Sequence, residues 1–337
     1  MKNPGGFKRT AKWLPTVAAA LSVCTAAASG YHLVKRIAVP GDYGWDYLTA
    51  DTEGRRLYVS HEREIVVLDL DSGATVGRIA GGTDLHGIAI ARDLGRGFIS
   101  DTNPGSVIIF DLKTLARIEE VAVGKDPNAV LFDRKTGRVF TADRGSQRVT
   151  ALDAETGKVA GTIENLGGRT EHAASDEAGH VFLNMQDKNT LLRLDAQSLK
   201  VLDTWPVAPC GQPSSMDIDR AHERVFIGAR SGLMAVVDGT SGRVVATQPI
   251  GPGVDAEFDA ARGLVYFSSG GADGSLSVFR QDTPDEYSLV EQVATQTGAR
   301  TMARSQDGPR LSVGGTIRAS ARSSSRRRAT KRPHGFR

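Results

Sequence analysis

From residue 46 onward the apolar residues fall in short β-branched runs such as Ile65-Val66-Val67-Leu68, divided by polar, glycine-containing turns. No helical stripe of useful length follows the N-terminus, so the pattern predicts many short strands. A hydrophobic pair, an Asp and a turn recur as Val67-Leu68-Asp69, Ile109-Phe110-Asp111, Ala151-Leu152-Asp153, Arg193-Leu194-Asp195 and Val236-Val237-Asp238, with Val278-Phe279-Arg280 as a degenerate sixth copy. The spacings are 42, 42, 42, 43 and 42 residues, far too regular for chance. A second landmark places an aromatic seven positions after an Asp, in Asp51 to Tyr58, Asp133 to Phe140, Asp219 to Phe226 and Asp259 to Tyr266. One repeat therefore reads as a four-stranded antiparallel meander, the unit of a propeller blade.

The row of Asp69, Asp111, Asp153, Asp195 and Asp238 resembles a carboxylate array, but each precedes a turn such as Ala154-Glu155-Thr156-Gly157. There an Asp accepts backbone N–H bonds across the turn, and a glycine takes the positive φ that closes it. The strand Val139-Phe140-Thr141-Ala142 or Leu57-Tyr58-Val59-Ser60, followed by the Asp-x-x-[ST]-Gly turn, resembles the repeat of the YVTN-type, YncE-like β-propeller proteins of bacteria over about residues 31–303. That resemblance implies an all-β, seven-bladed β-propeller of four-stranded antiparallel blades and says little of function. Tyr31 to Val39 matches an outer strand with no inner strands before it, so one blade is expected to be split between the two ends of the chain, with Gly298 to Met302 opening its other part.

Charge and the chain ends refine this picture. Residues 1–30 read as a signal peptide, with Lys2, Lys8, Arg9 and Lys12, an apolar stretch from Leu14 to Cys24, and the small-residue run Ala26-Ala27-Ala28-Ser29-Gly30. The expected location is periplasmic or secreted, with no membrane span in the mature chain. Cys24 falls in that segment, leaving Cys210 alone and no internal disulfide. Of the net +3, residues 1–30 contribute +4 and residues 304–337 contribute +9, leaving −10 for residues 31–303. An acidic body of this kind argues against nucleic-acid binding there. Residues 304–337 form a basic Arg/Ser-rich tail, expected to be disordered. Back-translating Ala303 to Ala319 with permissible codons and reading one nucleotide later gives LDPKTGRVYLSAAQFG, a further copy of the repeat. The tail is accordingly expected to be a frameshift product.

Candidate chemistry follows from phase. The starts of innermost strands face a propeller's central channel, and about five positions before each inner-strand Asp stand Asp46, His86, Asn128, Glu171 with His172, Ser214, Asp255 and Arg300. These polar groups, on strands otherwise built for burial, are the expected ligand-binding residues. The leading expectation is an exported binding or scaffold module, a monomer without catalysis, whose partner is a small polar ligand or an envelope protein. The first alternative is a metal-dependent lactonase or lyase, in which Asp46, Asn128, Glu171 and Asp255 offer oxygens to Ca2+ or Mg2+ and His86 or His172 serves as general base. The second is nucleic-acid or polyanion binding through the basic tail. No Gly-x-Ser-x-Gly, no Cys-x-x-Cys-His haem site and no phosphate-binding glycine loop is present.

Overall fold

The computed structural model describes Met1 and residues 30–39, 44–271, 274–308 and 310–314. The expected signal peptide and most of the basic tail lie outside these residues. The chain divides into Met1–His32 and Leu33–Arg337. Residues 30–32 of the first unit carry no regular secondary structure.

In the second unit strands dominate, and each sheet follows chain order. A six-stranded sheet holds β1 (Leu48–Asp51), β2 (Arg56–Asp69), β3 (Thr75–Ala91), β4 (Arg96–Asp101), β5 (Ser106–Asp111) and β6 (Arg117–Ala122). Four four-stranded sheets follow. The first contains β7 (Pro127–Asp133), β8 (Arg138–Asp143), β9 (Arg148–Asp153) and β10 (Val159–Ile163), and the second β11 (Thr170–Ser175), β12 (His180–Met185), β13 (Thr190–Asp195) and β14 (Lys200–Pro206). The third contains β15 (Pro213–Asp219), β16 (Arg224–Ala229), β17 (Leu233–Asp238) and β18 (Val244–Pro249), and the fourth β19 (Gly253–Asp259), β20 (Leu264–Ser269), β21 (Ser275–Thr283) and β22 (Glu286–Ala294). A two-stranded sheet of β23 (Thr301–Arg304) and β24 (Leu311–Gly314) completes the described strands. Every pairing is antiparallel.

The expectation of seven four-stranded blades is thereby corrected: the described residues form five sheets of blade size, not seven. Two repeats share the six-stranded sheet because β3 pairs with β2 through residues 75–80 and with β4 through residues 85–91 without a break. Gly81-Gly82 lies inside this long strand. Nor do the described residues form the expected split blade: residues 30–39 are not in a strand, and the closing sheet has two described strands. The ends nevertheless meet. Arg300 Nη2–H donates to Trp45 O at 3.0 Å, Gln306 N–H donates to Thr52 Oγ1 at 3.0 Å, and Arg36 reaches Gln296 Oε1 at 3.2 Å. The inner strands touch in succession, β3 to β7, β7 to β11, β11 to β15, β15 to β19, β19 to β23, and β23 back to β1.

Burial explains why these sequences take these places. Middle strands such as β8 are buried at five of six positions, through Val139, Phe140 and Ala142 together with the hydrogen-bonded Thr141 and Asp143, whereas outer strands such as β6 and β14 are largely exposed. The cores lie between consecutive sheets: Phe140, Ala142 and Ala151 meet Val181, Leu183 and Leu194, and Phe226 and Val236 meet Phe258 and Phe267. The repeated Asp residues close turns. Asp153 Oδ1 accepts Thr156 N–H at 2.7 Å and Thr156 Oγ1–H at 2.8 Å, and Asp111, Asp195 and Asp238 bond their turns likewise. The backbone N–H donors of those turns hold the Asp111, Asp153 and Asp195 carboxyls below the ordinary carboxylate range.

The residue closing these turns varies in an informative way. It is glycine at Gly73, Gly157 and Gly242, with φ of 69°, 75° and 73°, but leucine at Leu115 and Leu199, with φ of 62° and 56°. Where leucine stands, a glycine faces it from the outer strand of the preceding repeat: Leu115 fills the space over Gly77, and Leu199 that over Gly161. Where glycine stands, a large side chain fills the gap, Trp205 over Gly242 and Ile37 over Gly73.

Candidate functional site

All eight residues expected from phase line one cavity of about 470 Å³: Asp46, His86, Asn128, Glu171, His172, Ser214, Asp255 and Arg300. The backbone gives the reason. Five inner strands lose regular register where these residues stand, between Leu85 and Ile88, Pro127 and Val130, Thr170 and Ala173, Pro213 and Ser215, and Gly253 and Asp255. A bulge bends its strand and re-aims a side chain, so these repeated irregularities turn polar residues of buried strands toward one space.

The Asp46 and Arg300 wall is closely bonded. Asp46 Oδ2 lies 2.5 Å from His86 Nδ1, and Asp84 stands 3.3 Å from Nε2 on the other side of the ring. Burial alone would lower the His86 pKa, but the hydrogen bond and charge of Asp46, with Asp84 behind, outweigh it and hold the imidazole above its ordinary value. Arg300 stacks on the Trp45 ring at 5.0 Å, donates to Trp45 O at 3.0 Å, and approaches Asp46 at 3.7 Å. Asp255 receives the N–H of Ala256 at 2.9 Å and of Met302 at 2.8 Å, yet burial dominates and pushes its pKa up to about 7.

The Glu171 wall is different. Glu171 is 7 % exposed, and Arg230, Arg169 and Arg144 stand 3.8, 3.9 and 4.0 Å from its carboxylate. Burial raises its pKa against the pull of these three cations. Arg144 is itself fixed by Asp126 at 2.7 Å. His172 lies beside the Tyr47 ring at 5.9 Å, and burial lowers its pKa to about 4, so it is neutral at pH 7. Asn128 donates to Tyr47 OH at 3.4 Å, and Ser214 Oγ donates to Gly228 O at 3.4 Å.

Phase reasoning missed Arg144, Arg230 and Thr301, which line the cavity together with Tyr47. Arg144 follows β8 and Arg230 follows β16, 86 residues apart, so a second phase, just past the end of each second strand, could have found them. Among the described residues no three His, Cys, Asp or Glu side chains are grouped as metal ligands. Cys210 is buried outside the cavity lining, its thiol pushed up to about 11 by burial.

His172 and Asp255 make opposite contributions to the pH dependence of stability. A depressed His172 contributes stability above the unfolded value near 6.5 that is lost as pH falls toward 4. A raised Asp255 contributes stability at low pH that is lost as pH rises from about 4 to about 7. Between about pH 4 and 6.5 the two slopes oppose each other. Melting curves across this window should therefore rise more steeply with pH in Asp255→Asn than in the wild type, and less steeply in His172→Gln. Unchanged slopes in both variants would contradict this assignment.

The fold has close structural counterparts. The structure of U3-55K superposes with a TM-score of 0.74 over 83 % of this chain and 90 % of that one, at 12 % identity. Hydrazine synthase of Kuenenia stuttgartiensis superposes with a TM-score of 0.72 over 85 % of this chain and 99 % of that one, at 15 % identity. The chain is a β-propeller. At such identities the likeness is one of fold alone. In sequence the propeller is similar to the uncharacterized protein YncE of Salmonella typhimurium, 26 % identical over 169 residues, which cover 49 % of this chain and 47 % of that protein. The chain thus spans about half the length of the curated relative it matches, and no protein-family profile matches it. Among the described residues no helix is long and apolar enough to cross a membrane.

Proposed function

We propose that this propeller is an exported binding module that holds a small polar ligand in the mouth of its channel. The observation that carries the reading is the convergence of polar side chains from successive repeats on one 470 Å³ cavity, those from five inner strands standing at a local break in register. Repeated bulges at one phase put acids, bases and amides where a regular sheet would bury apolar groups, an arrangement suited to recognition. The export pattern at the N-terminus and the propeller fold are consistent with the same reading.

Thermal melting of the full chain against neutral, anionic and cationic polar solutes, with calcium and magnesium included, tests it. A ligand present at a hundred times its dissociation constant adds about 2.7 kcal/mol of stability. A saturable upward shift that disappears in Asp46→Asn is expected. No shift with any solute would overturn the reading. A second reading, lactone hydrolysis or a lyase reaction in the same cavity, draws on Asp255, whose pKa of about 7 suits a proton donor or acceptor. Turnover of a lactone panel that is lost in Asp255→Asn would favour it.

A further inference from the structure

The Glu171 wall carries more than a generic polar lining. Three guanidinium groups from separate connections surround one carboxylate, and all stand beyond hydrogen-bond reach, at 3.8 to 4.0 Å. The Arg169 and Arg230 side chains are half exposed and donate no hydrogen bond among the described residues, so their fork-shaped donor sets stay available to an anion. Two acceptors at the same place are also unfilled. Glu171 Oε2 and Asn128 Oδ1 are buried without a hydrogen-bond partner, on side chains of residues 7 % and 3 % exposed that line the cavity. Buried polar atoms are rarely left so, and a site with both free cationic donors and empty acceptors matches a ligand bearing an anion next to a donor.

We propose that the cavity takes a small hydroxylated organic anion, its carboxylate or phosphate held by Arg144 and Arg230 of the lining, with Arg169 beside Glu171 outside that lining, and its hydroxyl donating to Glu171 and Asn128. The proposal rests on the binding reading above and adds the ligand's chemical class. With Arg144 paired to Asp126, Arg169 and Arg230 still leave the cations in excess of Glu171, which offsets part of the repulsion between Glu171 and an incoming anion. A neutral sugar of the same size brings no charge to the guanidinium donors of Arg169 and Arg230.

Calorimetric titration of the full chain with sodium gluconate, glucose 6-phosphate and glucose tests this. Gluconate or glucose 6-phosphate should bind, more weakly as salt is added, and glucose should not. A preference between the two anions tells carboxylate from phosphate. Arg230→Gln should weaken binding about tenfold or more, and Arg169→Gln less; both side chains are half exposed and donate no hydrogen bond among the described residues, so each variant should still unfold cooperatively in urea. Glucose binding as tightly as gluconate, full affinity in Arg230→Gln, or no binding of either anion would overturn the proposal. In the last case a solute of another class that shifts the melt would leave the binding module standing without this ligand class.

Discussion

Truncating Phe226 to alanine should lower the unfolding free energy by about 3–5 kcal/mol. The ring is fully buried on β16 and lies between two sheets, 5.0 Å from the Phe258 ring on β19 and edge-on to the Tyr287 ring on β22 at 5.7 Å. Removing it withdraws the ring's own burial and opens a cavity that strands pinned by their ladders cannot collapse around. Val201, 40 % exposed on the outer strand β14, provides the control, since its truncation should change stability by no more than about 0.5 kcal/mol. Urea denaturation of both variants measures the difference. A loss below about 1 kcal/mol for Phe226→Ala would mean that the seam between these sheets is not closely packed.

Asp143→Ala should cost a comparable amount for a different reason. The Asp143 carboxylate is fully buried at the end of β8 and accepts Thr150 Oγ1–H at 2.6 Å, Thr141 Oγ1–H at 2.7 Å, Gly124 N–H at 3.1 Å and Arg148 Nε–H at 3.3 Å. Alanine leaves all four donors without their acceptor, each at a cost of about 1–3 kcal/mol less whatever water recovers, so a net loss of about 3–5 kcal/mol is expected. Asp143→Asn keeps the shape and part of the bonding, and should fall between alanine and wild type. Equal urea midpoints for the alanine variant and the wild type would show that the network is replaced by solvent at no cost.

Much of this architecture could be read along the chain because the repeat fixes phase. A spacing near 42 residues, marked by Asp69 through Asp238, defined strands and turns, and counting back from a second landmark brought His86, Asn128, Glu171 and Asp255 to one cavity. The sheet count was not legible, because whether β3 breaks at Gly81-Gly82 is a matter of backbone continuity and both outcomes suit the same residues. The closing sheet was misread for a related reason: Tyr31 to Val39 has the composition of an outer strand, but residues 30–39 pair with no neighbour in a sheet. The cationic wall escaped notice because Arg144 and Arg230 lie just past strand ends, where arginine is ordinarily a solvated surface residue. The hypothesis that residues 304–337 arise from a frameshift keeps its basis in the repeat that reappears one nucleotide later, and resequencing the locus would decide it.

The alternation of leucine and glycine where neighbouring repeats meet implies an assembly code. Leu115 against Gly77 and Leu199 against Gly161 are knobs matched to sockets, while Gly242 beneath Trp205 is the reverse fit. Exchanging two repeats would set bulk against bulk at one seam and leave a void at another. The units therefore resemble the numbered staves of a cask more than interchangeable modules, and a shuffled or duplicated gene would encode a ring with mismatched joints even though each meander remained well formed.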